Sequence, residues 1–101
     1  MSITVVGTVA FDAIQTPFGK VDRCIGGSAT YFSVAASFFA PVNLVSVIGD
    51  DFTDADASIF KDRKINLEGL QRIKGAKSFF WSGEYGFDLN VAKTRDTQLN
   101  V

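Results

Sequence analysis

Two short runs rich in β-branched residues flank a segment with helical spacing, and this order constrains the fold more than any other feature. The first run, residues 3–9, lacks polar–apolar alternation, which is typical of a strand covered on both faces. The second run, residues 44–48, has the same character. Residues 29–39 lie between them and have apolar side chains at helical spacing, namely Phe32, Ala35, Ala36 and Phe39. Strand, helix and strand in this order predict a right-handed βαβ unit with a parallel sheet.

Signals at the ends of segments predict where the remaining elements begin and end. Ser28 is the predicted N-cap of the first helix, and Pro41 ends it. Residues 53–64 form a predicted amphipathic helix, with acidic side chains early and basic ones late, as the helix dipole favours. A further short strand is predicted within residues 65–73.

Two hairpins complete the predicted elements. The Pro-Phe-Gly turn at residues 17–19 divides residues 11–24 into two extended segments. Residues 77–81 and 84–91 predict a second hairpin around Ser82-Gly83. The polar tail after Ala92 is predicted to be a loop.

Composition limits the class of protein. The 101 residues correspond to one small domain at most, and 47% hydrophobic residues allow a packed core. A net charge of -1 without a basic patch argues against a nucleic-acid partner, and no apolar run is long enough to cross a membrane. Cys24 is the sole cysteine and the start lacks a basic signal-peptide region, which together predict a cytoplasmic location. The absence of histidine excludes a His-based triad and a His-ligated zinc.

Asp12 and a glycine pair are the candidate binding residues. Asp12 follows a buried strand directly, and its carboxylate could accept hydrogen bonds from two sugar hydroxyls. A turn-forming aspartate is the structural alternative. Gly26 and Gly27 precede a helix and would let a ligand approach backbone N–H groups, although a tight turn capped by Ser28 is the favoured explanation of the pair taken alone.

Other patterns carry less functional information. Gly7 stands alone after the first strand, so the dinucleotide fingerprint is missing, and no Walker A sequence exists. An acidic cluster lacks the spacing of a calcium loop and fits a solvated helix start; its members are Asp50, Asp51, Asp54 and Asp56. An aromatic stripe could cover a ligand, pair with a second subunit or pack in the core; it comprises Phe79, Phe80, Trp81, Tyr85 and Phe87.

Three segments in this order and spacing resemble the N-terminal part of the ribokinase-like (PfkB) carbohydrate kinase family. They are Val5-Val6-Gly7-Thr8-Val9-Ala10-Phe11-Asp12, Gly26-Gly27-Ser28-Ala29-Thr30 and Val45-Ser46-Val47-Ile48-Gly49-Asp50-Asp51-Phe52. Residues 80–85 fall where family members place strands of a substrate lid. The resemblance covers nearly the whole chain but only roughly the first third of a typical member.

This resemblance implies a fold and a function. The fold would be a partial ribokinase-like α/β sandwich, with parallel central strands and a small β lid. Residues 1–101 would form a single partial domain, with lid segments at about 11–24 and 79–91. The family implies ATP-dependent phosphorylation of a sugar or nucleoside, with ATP and Mg²⁺ expected for the full-length member. Asp12, Gly26, Gly27 and Thr30 would line the substrate pocket. The family's lid can mediate dimerisation, and the exposed edges and aromatic surface of a truncated sandwich predict a homo-oligomer, formed through the lid hairpin or the open face of the sheet.

The resemblance also implies that one functional motif of the family is missing from residues 1–101. The family's Gly-Ala-Gly-Asp motif, which supplies the catalytic base and the anion hole, does not occur in the sequence. We therefore expect no catalytic residue, no cofactor and no activity for this chain alone. The alternative function is a non-enzymatic module for small-molecule binding or oligomerisation on the same half-fold. A small Rossmann-type oxidoreductase is disfavoured by the missing fingerprint.

Overall fold

The computed structural model describes residues 1–101 and contains two sheets and two helices. Neither helix has the length and hydrophobicity of a transmembrane span. In chain order the elements are β1 (Ile3–Val6), β2 (Ala10–Thr16), β3 (Gly19–Gly26), α1 (Ser28–Ala36), β4 (Val42–Gly49), α2 (Asp54–Lys61), β5 (Asn66–Ile73), β6 (Phe79–Tyr85) and β7 (Ala92–Gln98).

The first sheet is parallel and has the strand order β1-β4-β5. The central strand β4 alternates in burial, with Leu44 and Ile48 facing the core. Phe52 and Phe60 are fully buried in the same cluster, where the two helices meet the sheet. Helices on a parallel sheet confirm the predicted α/β class.

Only one face of this sheet is covered. Val6 is 77% exposed, and Val45 and Val47 on β4 are also exposed. The expectation of strands covered on both faces is therefore wrong for residues 3–9, because both helices pack on the opposite face. A groove of about 340 Å³ lies on the open face.

Helix α1 packs through its small side chains. It ends at Ala36, earlier than predicted, and its buried residues are Ala29, Thr30, Ser33 and Ala36. Phe32 and Phe39, two of the apolar residues at helical spacing, are 58% and 88% exposed, so that spacing does not mark the buried face of the helix. Small residues let the helix lie close to the sheet, which turns the phenylalanine rings outward.

Helix α2 begins with a capping box. The Thr53 side chain accepts a hydrogen bond from the Asp56 backbone N–H, and the Asp56 carboxylate accepts one from the Thr53 backbone N–H. These bonds satisfy two backbone donors that the helix itself cannot pair. The helix ends at Lys61, and Lys64 then takes a left-handed conformation at φ 56°. The acidic start and basic end are confirmed, whereas the helix is shorter than predicted.

The second sheet has the order β3-β2-β6-β7. Strands β2 and β3 form the predicted hairpin, and β6 pairs with β2 in parallel. The predicted hairpin around Ser82-Gly83 is wrong, since β6 runs unbroken through both residues. The tail after Ala92, predicted to be a loop, forms β7 antiparallel to β6.

Backbone and side-chain hydrogen bonds join the two sheets near the end of β4. Asp51 Oδ1 accepts a bond from the Ser78 backbone N–H at 2.8 Å, and Ser78 Oγ accepts one from the Gly49 backbone N–H at 2.9 Å. The Phe11 ring of β2 meets the Phe52 ring, with centroids 5.8 Å apart. Both sheets therefore contribute to one core.

Candidate functional site

The strand registers place Asp12 beside two other side chains on one face of the second sheet. Asp12 lies opposite Cys24 on β3 and opposite Trp81 on β6. Residues directly paired across neighbouring strands project to the same face. The carboxylate, the thiol and the indole therefore share that face, which we call the Asp12 face.

The glycine pair makes room for the Asp12 carboxylate and for the start of α1. A Cβ at Gly26 would overlap the Asp12 carboxylate. Gly27 has φ +93°, and a Cβ there would overlap the Thr8 backbone oxygen. That oxygen instead accepts a hydrogen bond from the Ala29 backbone N–H at 2.9 Å, which fixes the helix start against the end of β1. The predicted residues Asp12, Gly26 and Gly27 are thus brought together.

The Asp12 carboxylate is half-buried and lacks protein partners. Cys24 Sγ donates a hydrogen bond at 3.4 Å to the backbone oxygen of Asp12 and not to its carboxylate. The carboxylate oxygens have no protein donor. None of the ion pairs in the structure includes Asp12. Burial therefore raises the pKa of Asp12 above its usual value. A carboxylate that is partly desolvated and unpaired is typical of a functional site.

Two further residues near Asp12 were not found from the sequence. Tyr31 is 61% exposed, but partial desolvation of its hydroxyl raises its pKa, and the negative charges of Asp12, Cys24 and Tyr85 raise it further. Burial and the Asp12 charge likewise raise the pKa of the Cys24 thiol. Tyr31 lies in the first turn of α1, directly after the predicted residue Thr30, so the spacing from the glycine pair was the available signal.

Thr30 lies behind the glycine turn. Its side chain is buried, and its hydroxyl donates a hydrogen bond to the Gly26 backbone oxygen at 2.7 Å. This bond holds the backbone at Gly26, over which the Asp12 carboxylate lies. A direct contact between Thr30 and a substrate stays a prediction.

Trp81 supplies a flat apolar surface on the Asp12 face. Its ring lies over Gly83, where a Cβ would overlap it, and its Nε1 donates a hydrogen bond to Thr94 Oγ1 at 3.2 Å. Phe80 points to the other face of β6 and packs against the core, whereas Phe87 is 84% exposed in the turn before β7. The predicted aromatic stripe is therefore divided between the core, the Asp12 face and the turn before β7.

The acidic cluster has structural roles. Asp50 Oδ2 accepts a hydrogen bond from the Gly75 backbone N–H at 2.6 Å, and Asp51 and Asp56 bind the backbone as described above. No three His, Cys, Asp or Glu side chains in residues 1–101 converge to hold a metal ion.

Comparison with known proteins shows which solved structures share this fold. No protein-family model and no curated protein sequence matches the chain. A nucleoside kinase from Burkholderia thailandensis, solved in complex with inosine, matches 98% of the chain with a TM-score of 0.79 and 15% identity. A Cryptococcus neoformans ribokinase in complex with ADP matches 93% with a TM-score of 0.74 and 17% identity. A Xylella fastidiosa fructokinase with bound ATP matches 93% with a TM-score of 0.73 and 19% identity.

The chain spans about a third of the length of these kinases, since it covers 36%, 33% and 32% of them respectively. Its two sheets and two helices superimpose on that part almost completely. The structure therefore has the ribokinase-like fold of sugar and nucleoside kinases, over a portion equal to about a third of their length.

Proposed function

We propose that this chain is the substrate-binding part of an ATP-dependent sugar or nucleoside kinase, in which Asp12 binds substrate hydroxyls. The observation that carries the proposal is the half-buried Asp12 carboxylate, which has no protein donor and no cation partner. Leaving such a group unpaired costs stability, and a bound ligand would remove that cost.

The carboxylate has suitable chemistry for this role. An ionised aspartate only accepts hydrogen bonds, and its two oxygens can each receive one from neighbouring hydroxyls of a polyol. Gly26 and Gly27 keep side chains out of the space beside it. Fixing a substrate hydroxyl in this way would contribute to phosphoryl transfer by positioning.

The second sheet would act as the substrate lid. It carries Asp12, Cys24 and Trp81 on one face, and it joins the rest of the fold near the end of β4. Closure of this sheet over a bound ligand would exclude water from the reacting groups.

ATP and Mg²⁺ belong to the proposed whole kinase. The three acidic residues Asp50, Asp51 and Asp56 bind backbone groups of this chain, and no metal-binding cluster is formed. We assign no catalytic base among residues 1–101. The 101-residue chain is expected not to phosphorylate ribose, fructose or inosine in the presence of ATP and Mg²⁺, and a coupled ADP-release assay checks this.

Calorimetric titration of the chain with ribose, fructose and inosine tests the binding proposal. We expect at least one of them to bind, and Asp12→Asn to weaken that binding on the order of tenfold, because charged acceptors bind hydroxyls more strongly than neutral ones. Asp22→Asn is the matched control, since Asp22 is 83% exposed and pairs only with Lys20. Equal affinity in wild type and Asp12→Asn would exclude Asp12 from the binding site.

A second candidate function is an assembly module on the same half-fold. Exposed aromatic residues on α1 and just after it favour it; they are Phe32, Phe38 and Phe39. Self-association, a cytoplasmic location and the lack of a nucleic-acid partner remain proposals from composition and surface.

A further inference from the structure

Arg23 on β3 connects the second sheet to the start of α2. Its Nη2 donates hydrogen bonds to the Asp51 backbone oxygen at 2.9 Å and to Asp56 Oδ2 at 3.3 Å. Its guanidinium also lies 3.7 Å from the centre of the Phe11 ring. Phe11 is the residue directly before Asp12 on β2. The Arg23 side chain thus contacts β2, which carries Asp12, as well as the β4–α2 loop at Asp51 and helix α2 at Asp56.

A β-bulge directs Arg23 toward this position. Asp12 pairs with Cys24 and Ile14 pairs with Val21, so β3 has one more residue than β2 over this stretch. A bulge of this kind bends the strand and re-aims the side chains within it. The extra residue falls among those between Val21 and Cys24, which include Arg23.

The residues that accept hydrogen bonds from Arg23, Asp51 and Asp56, are themselves held by other hydrogen bonds. Asp56 Oδ2 accepts bonds from the Thr53 backbone N–H at 2.9 Å and from the Thr53 hydroxyl at 3.0 Å, and the Asp56 side chain is only 16% exposed. The Asp51 carboxylate is held by the Ser78 backbone N–H. Arg23 therefore binds two oxygen atoms, of Asp51 and Asp56, whose residues are held in place by hydrogen bonds of their own.

No other ion pair joins the second sheet to the rest of the fold. Lys20–Asp22 lies within β3, Lys61–Asp54 lies within α2, and Arg95–Glu84 links β7 to β6 inside the second sheet. The Arg23–Asp56 pair is the single charged contact between the second sheet and α2.

We propose that Arg23 is a positioning residue that sets the angle between the second sheet and the β4–α2 loop and thereby holds Asp12 in its binding position. It acts through Phe11 and has no contact with substrate. The statement about binding rests on the proposed function, whereas the statement about sheet position does not. A guanidinium suits the role because its planar fork can stack on a ring and bind two acceptors at once.

Energy transfer from Trp81, the only tryptophan, tests the position of the sheet without any ligand. An acceptor dye is placed on α2 through Lys61→Cys in a Cys24→Ser background. We expect a narrow distribution of Trp81–dye distances, which broadens in Arg23→Gln and partly recovers in Arg23→Lys. Salt near 1 M, where the Debye length falls to about 3 Å, should broaden the distribution of the parent and leave Arg23→Gln unchanged. Arg95→Gln is the matched control, because Arg95 binds only Gln15 and Glu84 within the second sheet.

An equally narrow distribution in Arg23→Gln and its parent would overturn the inference, whatever the binding assays show. In titrations with ribose, fructose and inosine, where the unlabelled wild-type chain is the parent, Arg23→Gln should weaken binding on the order of tenfold, while Arg95→Gln keeps the parent affinity. The melting temperature of both variants is measured alongside, and an affinity loss only in proportion to a lower melting temperature would also overturn it. Failure of all three ligands to bind the parent would overturn the proposed function, and the distance result would still decide the role of Arg23.

Discussion

Two buried serines on neighbouring elements differ in their hydrogen bonds. Ser33 on α1 is fully buried, and its hydroxyl has no partner. Ser46 on β4 donates a hydrogen bond to the Gly7 backbone oxygen at 2.6 Å. We expect Ser33→Ala to raise the free energy of unfolding by about 1 kcal/mol, because an unsatisfied polar group is removed, and Ser46→Ala to lower it by a similar amount. Urea denaturation measures both, and a loss of stability in Ser33→Ala would contradict the assignment.

The ionised Asp12 carboxylate is expected to lower the stability of the fold while it contributes to ligand binding, and the loss of stability depends on pH. Burial raises its pKa in the folded state above the unfolded value, so the folded state binds the proton more tightly. The stability that this provides is present at pH values below the usual value of 3.8 and is lost as pH rises through the folded pKa. We therefore expect Asp12→Asn to be more stable than wild type at neutral pH, with the difference shrinking toward pH 3.8 and below.

Urea denaturation at a series of pH values checks this expectation, with the exposed Asp22→Asn as control. A stability difference between Asp12→Asn and wild type that is constant with pH would contradict it. The same variant that gains stability is the one expected to lose sugar or nucleoside binding. That opposition distinguishes a binding carboxylate from a structural one, which would lose stability on substitution.

Only some of the candidate site residues could be predicted from the sequence. Asp12, Gly26 and Gly27 were singled out because a carboxylate after an apolar run and a glycine pair are clear local signals, although Asp12 lies within β2 and not after the end of a strand. Tyr31 and Cys24 were missed, since their nearness to Asp12 depends on the pairing of β2 with β3 and on the angle of α1. Those are tertiary features that no local pattern records.

At the scale of elements, the two helices start differently. Thr53 forms a full capping box at α2, whereas the N-cap of α1 is Gly27, without a side-chain cap bond. We expect Thr53→Ala to lower the free energy of unfolding by about 1 kcal/mol and Ser28→Ala to have a smaller effect. Thermal and urea denaturation compare the two, and equal losses would show that Ser28 caps α1 after all.

Strands β6 and β7 show why part of the second sheet could not be predicted. The Ser82-Gly83 pair has turn composition, yet the glycine lies inside β6 because the Trp81 ring covers it. Strand β7 is exposed along its whole length, so its sequence lacks the apolar alternation that indicates a strand. Only its pairing with β6 identifies this segment as a strand. The parallel strands, by contrast, were predictable because runs of β-branched apolar residues indicate strands, although only one face of that sheet is buried.

At the scale of the whole molecule, two apolar surfaces remain exposed. One lies on and just after α1 and includes Phe32 and Phe39, with an apolar pocket between them that Ile3 also lines. The other is the open face of the parallel sheet, with Val45 and Val47. Monomeric proteins rarely leave contiguous apolar patches of this kind uncovered, so the chain is expected to self-associate as its concentration rises.

Light scattering over a concentration series measures that self-association, and paired variants identify the surface involved. If the α1 surface forms the contact, Phe32→Ser with Phe39→Ser should return the chain to a monomer, because both side chains are exposed and little core packing is lost. If the open sheet face forms it, Val45→Thr with Val47→Thr should do so, since threonine keeps the β-branched shape that suits a strand while making its surface polar. Each pair is the control for the other. A wild-type chain that stays monomeric at high concentration would contradict assembly and leave small-molecule binding at Asp12 as the remaining function of this fold.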